Sequence, residues 1–126
     1  MMLSIPAWKN ANYLSLEDIL LAVLDVCKHL MWRLNVSEVA PEPGAMVLND
    51  ITPEMSMNYF ELIDLVKPGL QIIDGEVIAE DINSNSYVLI RAVDSTSWDI
   101  ETNMPTVIMT IKQAFPEATS TAGMVL

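Results

Sequence analysis

Apolar residues near the start of the chain recur at three- and four-residue spacing. Leu16, Ile19, Leu20, Val23, Cys27, Leu30 and Leu34 form one broad stripe, the pattern of a helix that buries one side. Ser15 and Asp18 stand where a capping box would open it, and Leu14 and Ile19 occupy the two positions of a hydrophobic staple. The spacing predicts a helix over 16–34. On that helix Leu21, Lys28 and Trp32 fall on the far side, with Asp25, His29 and Arg33. Leu21 and Trp32 are then either covered by another element or part of a contact surface. His29 sits one turn after Asp25, a spacing that favours a local ion pair.

Pro41, Pro43 and Gly44 break any helical period, so 37–50 reads as an internal loop, with Met46–Leu48 as a short edge strand. Thr52 and Pro53 have the chemistry of a helix cap and a first helical residue. Met55, Tyr59, Leu62, Ile63 and Val66 continue a second amphipathic helix, with Lys67 at its negative end and Pro68 and Gly69 to stop it.

The period then changes. Leu70–Ile73 and Glu76–Glu80 flank Asp74-Gly75, a two-residue hairpin signal that sets Ile72 opposite Val77 and Leu70 opposite Ala79. Asn83–Asn85 makes the next turn. Tyr87–Val93 is β-branched and apolar on both sides except at Arg91, as an interior strand would be. After a turn at Asp94–Ser97, Trp98, Ile100 and Thr102 alternate with Asp99 and Glu101, giving a half-buried strand whose wet side is acidic. Met104, Val107, Ile108, Ile111 and Phe115, between Pro105 and Pro116, predict a helix over 105–115. The expected fold is α+β, a three- to four-stranded antiparallel meander packed on one face by two or three helices. It is read as one compact domain over 1–126, with a loose tail at 117–126.

Composition narrows the function classes. The 126 residues are 52% hydrophobic and 18% charged, which excludes wholesale disorder. Six Lys and Arg against 17 Asp and Glu give 6 − 17 = −11. Such a surface is poorly suited to holding nucleic acid or an anionic membrane, and favours a cationic protein as partner. The longest apolar stretch, Ile19–Leu34, carries Asp25, Lys28, His29 and Arg33, too many charges for a membrane span. Met1–Lys9 lacks the pattern of an export leader, so the expected location is the cytoplasm.

The chemistry-bearing residues are sparse. Cys27 is the only cysteine and His29 the only histidine, which leaves no internal disulfide and too few ligands for an all-protein zinc site. Cys27 lies in an apolar run and reads as a small buried hydrophobe. Asp81, Asn83 and Asn85 match three positions of a calcium loop, but Ser86 and Ala92 stand where that loop needs Gly and Glu, so a polar turn is expected. Asp99, Glu101 and Glu76 are the remaining carboxylates able to share acid and base roles. The chain is accordingly read as not an enzyme, without cofactor or metal.

Between Leu34 and Val66 stand six acids, Glu38, Glu42, Asp50, Glu54, Glu61 and Asp64, and no Lys, Arg or His. Together with Asp99 and Glu101 they suggest a protein-binding module that blocks a basic partner, such as an inhibitor, antitoxin or immunity protein acting on a nuclease toxin. The candidate contact residues are Asp99, Glu101, Glu61, Asp64, Glu54 and Asp25 for charge, and Trp98, Tyr59 and Trp32 as aromatic anchors. The alternatives are an obligate subunit or homodimer burying the Leu21 and Trp32 side of the first helix, and a carboxylate-based enzyme.

Overall fold

The computed structural model describes residues 2–40, 45–67 and 69–120. In chain order the elements are β1 (Met2–Pro6), β2 (Trp8–Lys9), β3 (Asn12–Tyr13), α1 (Leu16–Ala22), α2 (Leu24–Cys27) and β4 (Met31–Val39). A 3-10 turn at Ala45–Asp50 leads to β5 (Met57–Asn58), α3 (Tyr59–Val66), β6 (Ile72–Asp81) and β7 (Ser86–Val93). The last elements are β8 (Ser97–Thr102), α4 (Pro105–Ala114) and β9 (Thr119–Ser120). Seven strands form one antiparallel sheet in the order β5-β4-β6-β7-β8-β1-β9, while β2 and β3 make a separate hairpin. The expected three- to four-stranded meander is therefore wrong. Only β6, β7 and β8 have that form, and they are the middle of a wider sheet.

Three local readings account for the difference. The helix expected over 16–34 ends at Cys27, and residues 31–39 are strand. Trp32 and Leu34 point into the core and Met31, Arg33 and Asn35 out of it, a two-residue alternation. Leu30 and Leu34 satisfy the helical spacing as well, which hid the change of period. The second is the turn expected at Asp74-Gly75, which is absent. Gly75 lies inside β6, paired with Val36 on one side and Ala92 on the other. A Cβ there would stand 2.9 Å from the Val36 Cα, so glycine serves a close approach of backbones and not a turn. Ile72 and Val77, expected to face each other across a hairpin, belong to one strand.

The third is β1, whose alternation of Leu3 and Ile5 with Ser4 and Pro6 fills the sheet beside β8. The tail contributes β9 against Leu3 and Ser4, so its first part is paired with the sheet. Met46–Leu48, read as an edge strand, lies in the 3-10 turn. Glu42, the breakers Pro41, Pro43, Gly44 and Pro68, and residues 124–126 lie outside the described residues.

Helix starts follow local chemistry closely. Ser15 Oγ accepts from the Asp18 N–H and Asp18 returns the bond to the Ser15 N–H, completing the expected capping box. The second helix instead begins at Tyr59, and residues 53–54 are a turn. Its cap is Asn58, which exchanges 2.9 Å bonds with Glu61. The Asn58→Ala variant should lose about 1 kcal/mol of stability in urea unfolding. A Thr52→Ala variant losing more would restore the earlier start.

The core lies on one side of the sheet. Register brings Trp32, Ala79, Val88 and Thr102 into one row, and Leu34, Val77, Ile90, Ile100 and Leu3 into the next. These side chains are buried in one cluster with Leu16, Ile19 and Leu20 of α1, Leu62 and Val66 of α3, and Val107 and Ile111 of α4. All the helices thus close the same face, as their apolar stripes require.

Candidate functional site

The opposite face of the sheet has no helix over it among the described residues. Its side chains follow from the same register. Met31, Glu80 and Tyr87 make one row, and Arg33, Ile78, Leu89, Glu101 and Met2 the second. Asn35, Glu76, Arg91, Asp99 and Ser4 make the third. Ile78 and Leu89 are only partly covered, in the middle of the face, with carboxylates on each side.

The charges on this face are partly matched. Arg91 binds Glu76 at 3.3 Å and is also the cross-strand neighbour of Asp99. Arg33 pairs with Glu80. Tyr87 donates its hydroxyl to Glu101 Oε2 at 3.0 Å, and that bond, helped by burial, raises the phenol above its ordinary range. Four acids against two arginines leave the face negative, and Glu76, Glu80 and Glu101 each have a bonded partner.

Asp99 and Glu101 therefore lie where the sequence placed them, on the wet side of their strand, and the sheet adds Glu76 and Glu80 beside them. The other charged candidates are elsewhere. Glu61 and Asp64 are on α3, which belongs to the helix layer, and Asp64 pairs with Lys67 at 3.0 Å. Glu61 is engaged in the α3 capping box. Asp25 is exposed on α2, and Glu54 is exposed in the turn before β5. The single acidic surface expected from 38–64 together with the last strand is thus divided between opposite sides of the sheet.

The aromatic anchors are corrected more sharply. Trp98, Trp32 and Tyr59 are all essentially fully buried. Trp98 donates its indole N–H to the Leu14 carbonyl, and Tyr59 donates its hydroxyl to the Leu20 carbonyl. Trp98 thus ties the sheet to the start of α1 and Tyr59 ties α3 to α1, and all three rings are buried in the core. Trp32 also leaves the far side of the first helix, so the exposed large apolar side chain left on α1 is Leu21. The residues that sequence reasoning missed are Met31, Arg33, Ile78, Glu80, Tyr87 and Leu89. Their signal is the alternation within 31–35 and 76–80, which becomes legible once both segments are known to be strands.

The chemistry-bearing residues have structural surroundings. Burial pushes the Cys27 thiol up to about 12, leaving it protonated at neutral pH. His29 faces Asp81 at 3.9 Å, not Asp25 as expected. The Asp81 carboxyl is held below its usual range first by the Asn83 N–H, then by the Ser84 hydroxyl, with His29 adding a smaller pull. Residues 82–85 form the polar turn expected there. Among the described residues no three of His, Cys, Asp and Glu gather to hold a metal ion, and no helix is long and apolar enough to cross a membrane. Comparison with protein-family models, curated proteins and solved structures finds no match.

Proposed function

We propose that this chain is an acidic protein-binding module of the inhibitor, antitoxin or immunity type, which lays the open face of its sheet on a basic partner. The observation that carries the reading is the one-sided packing. The helices close one face of a wide sheet, and the other presents Ile78 and Leu89 within Glu76, Glu80, Asp99 and Glu101. An apolar centre ringed by charge is the layout of a protein interface, where the centre supplies affinity and the rim supplies orientation. The overall charge of −11 steers a cationic surface toward it. A nuclease toxin fits this chemistry, because a cleft built to grip phosphates is itself positive. The buried tryptophans and the α3 carboxylates lie away from this face.

Affinity capture from native lysate at low and high salt, followed by mass spectrometry, tests the proposal. Proteins of high isoelectric point should be retained at low salt and released as salt screens the attraction. Neutralising Asp99→Asn together with Glu101→Gln should reduce their capture about threefold or more, by the weight that interface charges have on association. The Glu61→Gln, Asp64→Asn pair should leave it unchanged. Retention of neutral or acidic proteins, or sensitivity only to the α3 pair, would overturn the reading.

A further inference from the structure

The hairpin between β6 and β7 carries Ile82 with 92% of its surface exposed. Every role in making this turn is filled by a polar residue. Asp81 Oδ1 accepts from the Asn83 N–H, Ser84 and Ser86 hydroxyls bond at 3.0 Å, and Asn85 takes the left-handed position with φ 57°. The turn has no use for a branched apolar side chain held in water.

Two shallow grooves flank this residue. One, of about 370 Å³, is lined by Met31, Arg33, Ser56, Glu80 and Ile82. The other, of about 390 Å³, includes Ile78, Glu80, Asp81, Ile82 and Tyr87 in its lining. Glu80 and Ile82 belong to both, so they form the ridge between them. Met31, itself 48% exposed, lines one groove, and Ile78 lies in the other. The carboxylates around them, Glu80, Asp81 and the nearby Glu101, outnumber the basic groups, Arg33 paired with Glu80 and His29 at 3.9 Å from Asp81. The Asn83 N–H and the Ser84 hydroxyl favour the charged form of the Asp81 carboxyl.

We propose that Ile82 and the grooves on its two sides are the anchor of the docking surface, and that they take a cationic amphipathic segment of the partner. Apolar side chains of that segment enter the grooves on either side of Ile82, while its Lys or Arg groups reach Glu80 and Asp81. The proposal rests on the open sheet face being the binding face and adds where on it the affinity is concentrated and what chemistry the partner must offer there. A single apolar contact buried in a pocket outweighs several rim charges, because water screens the charges and not the packed surface.

Two peptides of equal charge separate the proposals, one a Leu/Lys amphipathic helix and the other oligolysine. Each is titrated into the isotope-labelled full chain and followed by amide chemical shifts. The Leu/Lys peptide should bind roughly tenfold or more tightly than oligolysine, the size expected for burying one branched side chain. Its shifts should centre on residues 31–33 and 78–87. Ile82→Ser should remove that advantage while leaving oligolysine binding unchanged, and Met31→Ser should reduce it in part. Both positions are exposed, and an unchanged melting temperature shows that the variants fold. If Ile82→Ser leaves the preference intact, the anchor assignment is wrong while the open face stands; if the shifts centre on Leu21 and Phe60, exposed on α1 and α3 in the helix layer, the open face fails as well. If neither peptide perturbs the open face, the binding-face reading fails with it.

Discussion

Replacement of Trp98 by alanine should cost about 3–5 kcal/mol, the range for emptying the site of a buried aromatic side chain. Trp98 is 2% exposed on β8, between Ala92 of β7 and Ile5 of β1 in the register. The small Ala92 makes room for the indole on one side, and the packed core around it can close only part of the space left behind. The side chain also ties the sheet to the start of α1, since its N–H donates to the Leu14 carbonyl at 2.8 Å, one residue before the Ser15 cap. Losing that bond adds about 1 kcal/mol. Against a typical stability of about 5–15 kcal/mol, the variant would be near the limit of folding. Urea unfolding by fluorescence and circular dichroism measures the loss. A change under about 1.5 kcal/mol, well below the cavity range, would mean that the indole is not packed as described.

The Gly75→Ala variant should be the next most damaging, at about 1–3 kcal/mol. The added methyl would meet the Val36 Cα at 2.9 Å and the Asn35 carbonyl oxygen at 3.0 Å, with the Ile72 side chain at 3.3 Å. The first two are backbone atoms, so β4 must move as a strand and not by a rotamer change. Two opposing effects are smaller. Alanine restricts the unfolded chain, which favours folding by about 0.4–1 kcal/mol, and the irregular register between Val36 and Glu38 leaves β4 some freedom to shift. The net effect is still destabilising. Thermal unfolding with amide exchange along β4 would show faster exchange at Asn35 and Val36. A stabilised variant would instead return Asp74-Gly75 to the role of a turn.

These two positions illustrate how differently the sequence exposes its own structure. Trp98, Ile100 and Thr102 alternate with Asp99 and Glu101, and that pattern alone identifies a strand with one wet acidic side. The α4 helix, the Ser15 capping box and the turn at 82–85 are similarly legible, since each depends on residues within four or five positions of one another. Asp74-Gly75 misleads for the opposite reason. Its glycine is required by Asn35 and Val36, some forty positions earlier, and no local window contains that demand. Leu30 and Leu34 misled through ambiguity, fitting a helical stripe as well as the strand they flank or enter. The burial of Trp32 and Tyr59 likewise depends on α1, α3 and β4 meeting, which none of those segments encodes separately.

What the amino-acid order determined without help was the sign and size of the charge, the absence of a second cysteine or histidine, and the elements whose partners are near neighbours. Tertiary pairing decided that β1 and β4 complete the sheet, that every helix lies on one face, and that Glu76, Glu80, Asp99 and Glu101 share the other. The reason is that strand register is set by hydrogen bonds between distant segments. A one-residue slip in any of those pairings would send the same carboxylates into the core.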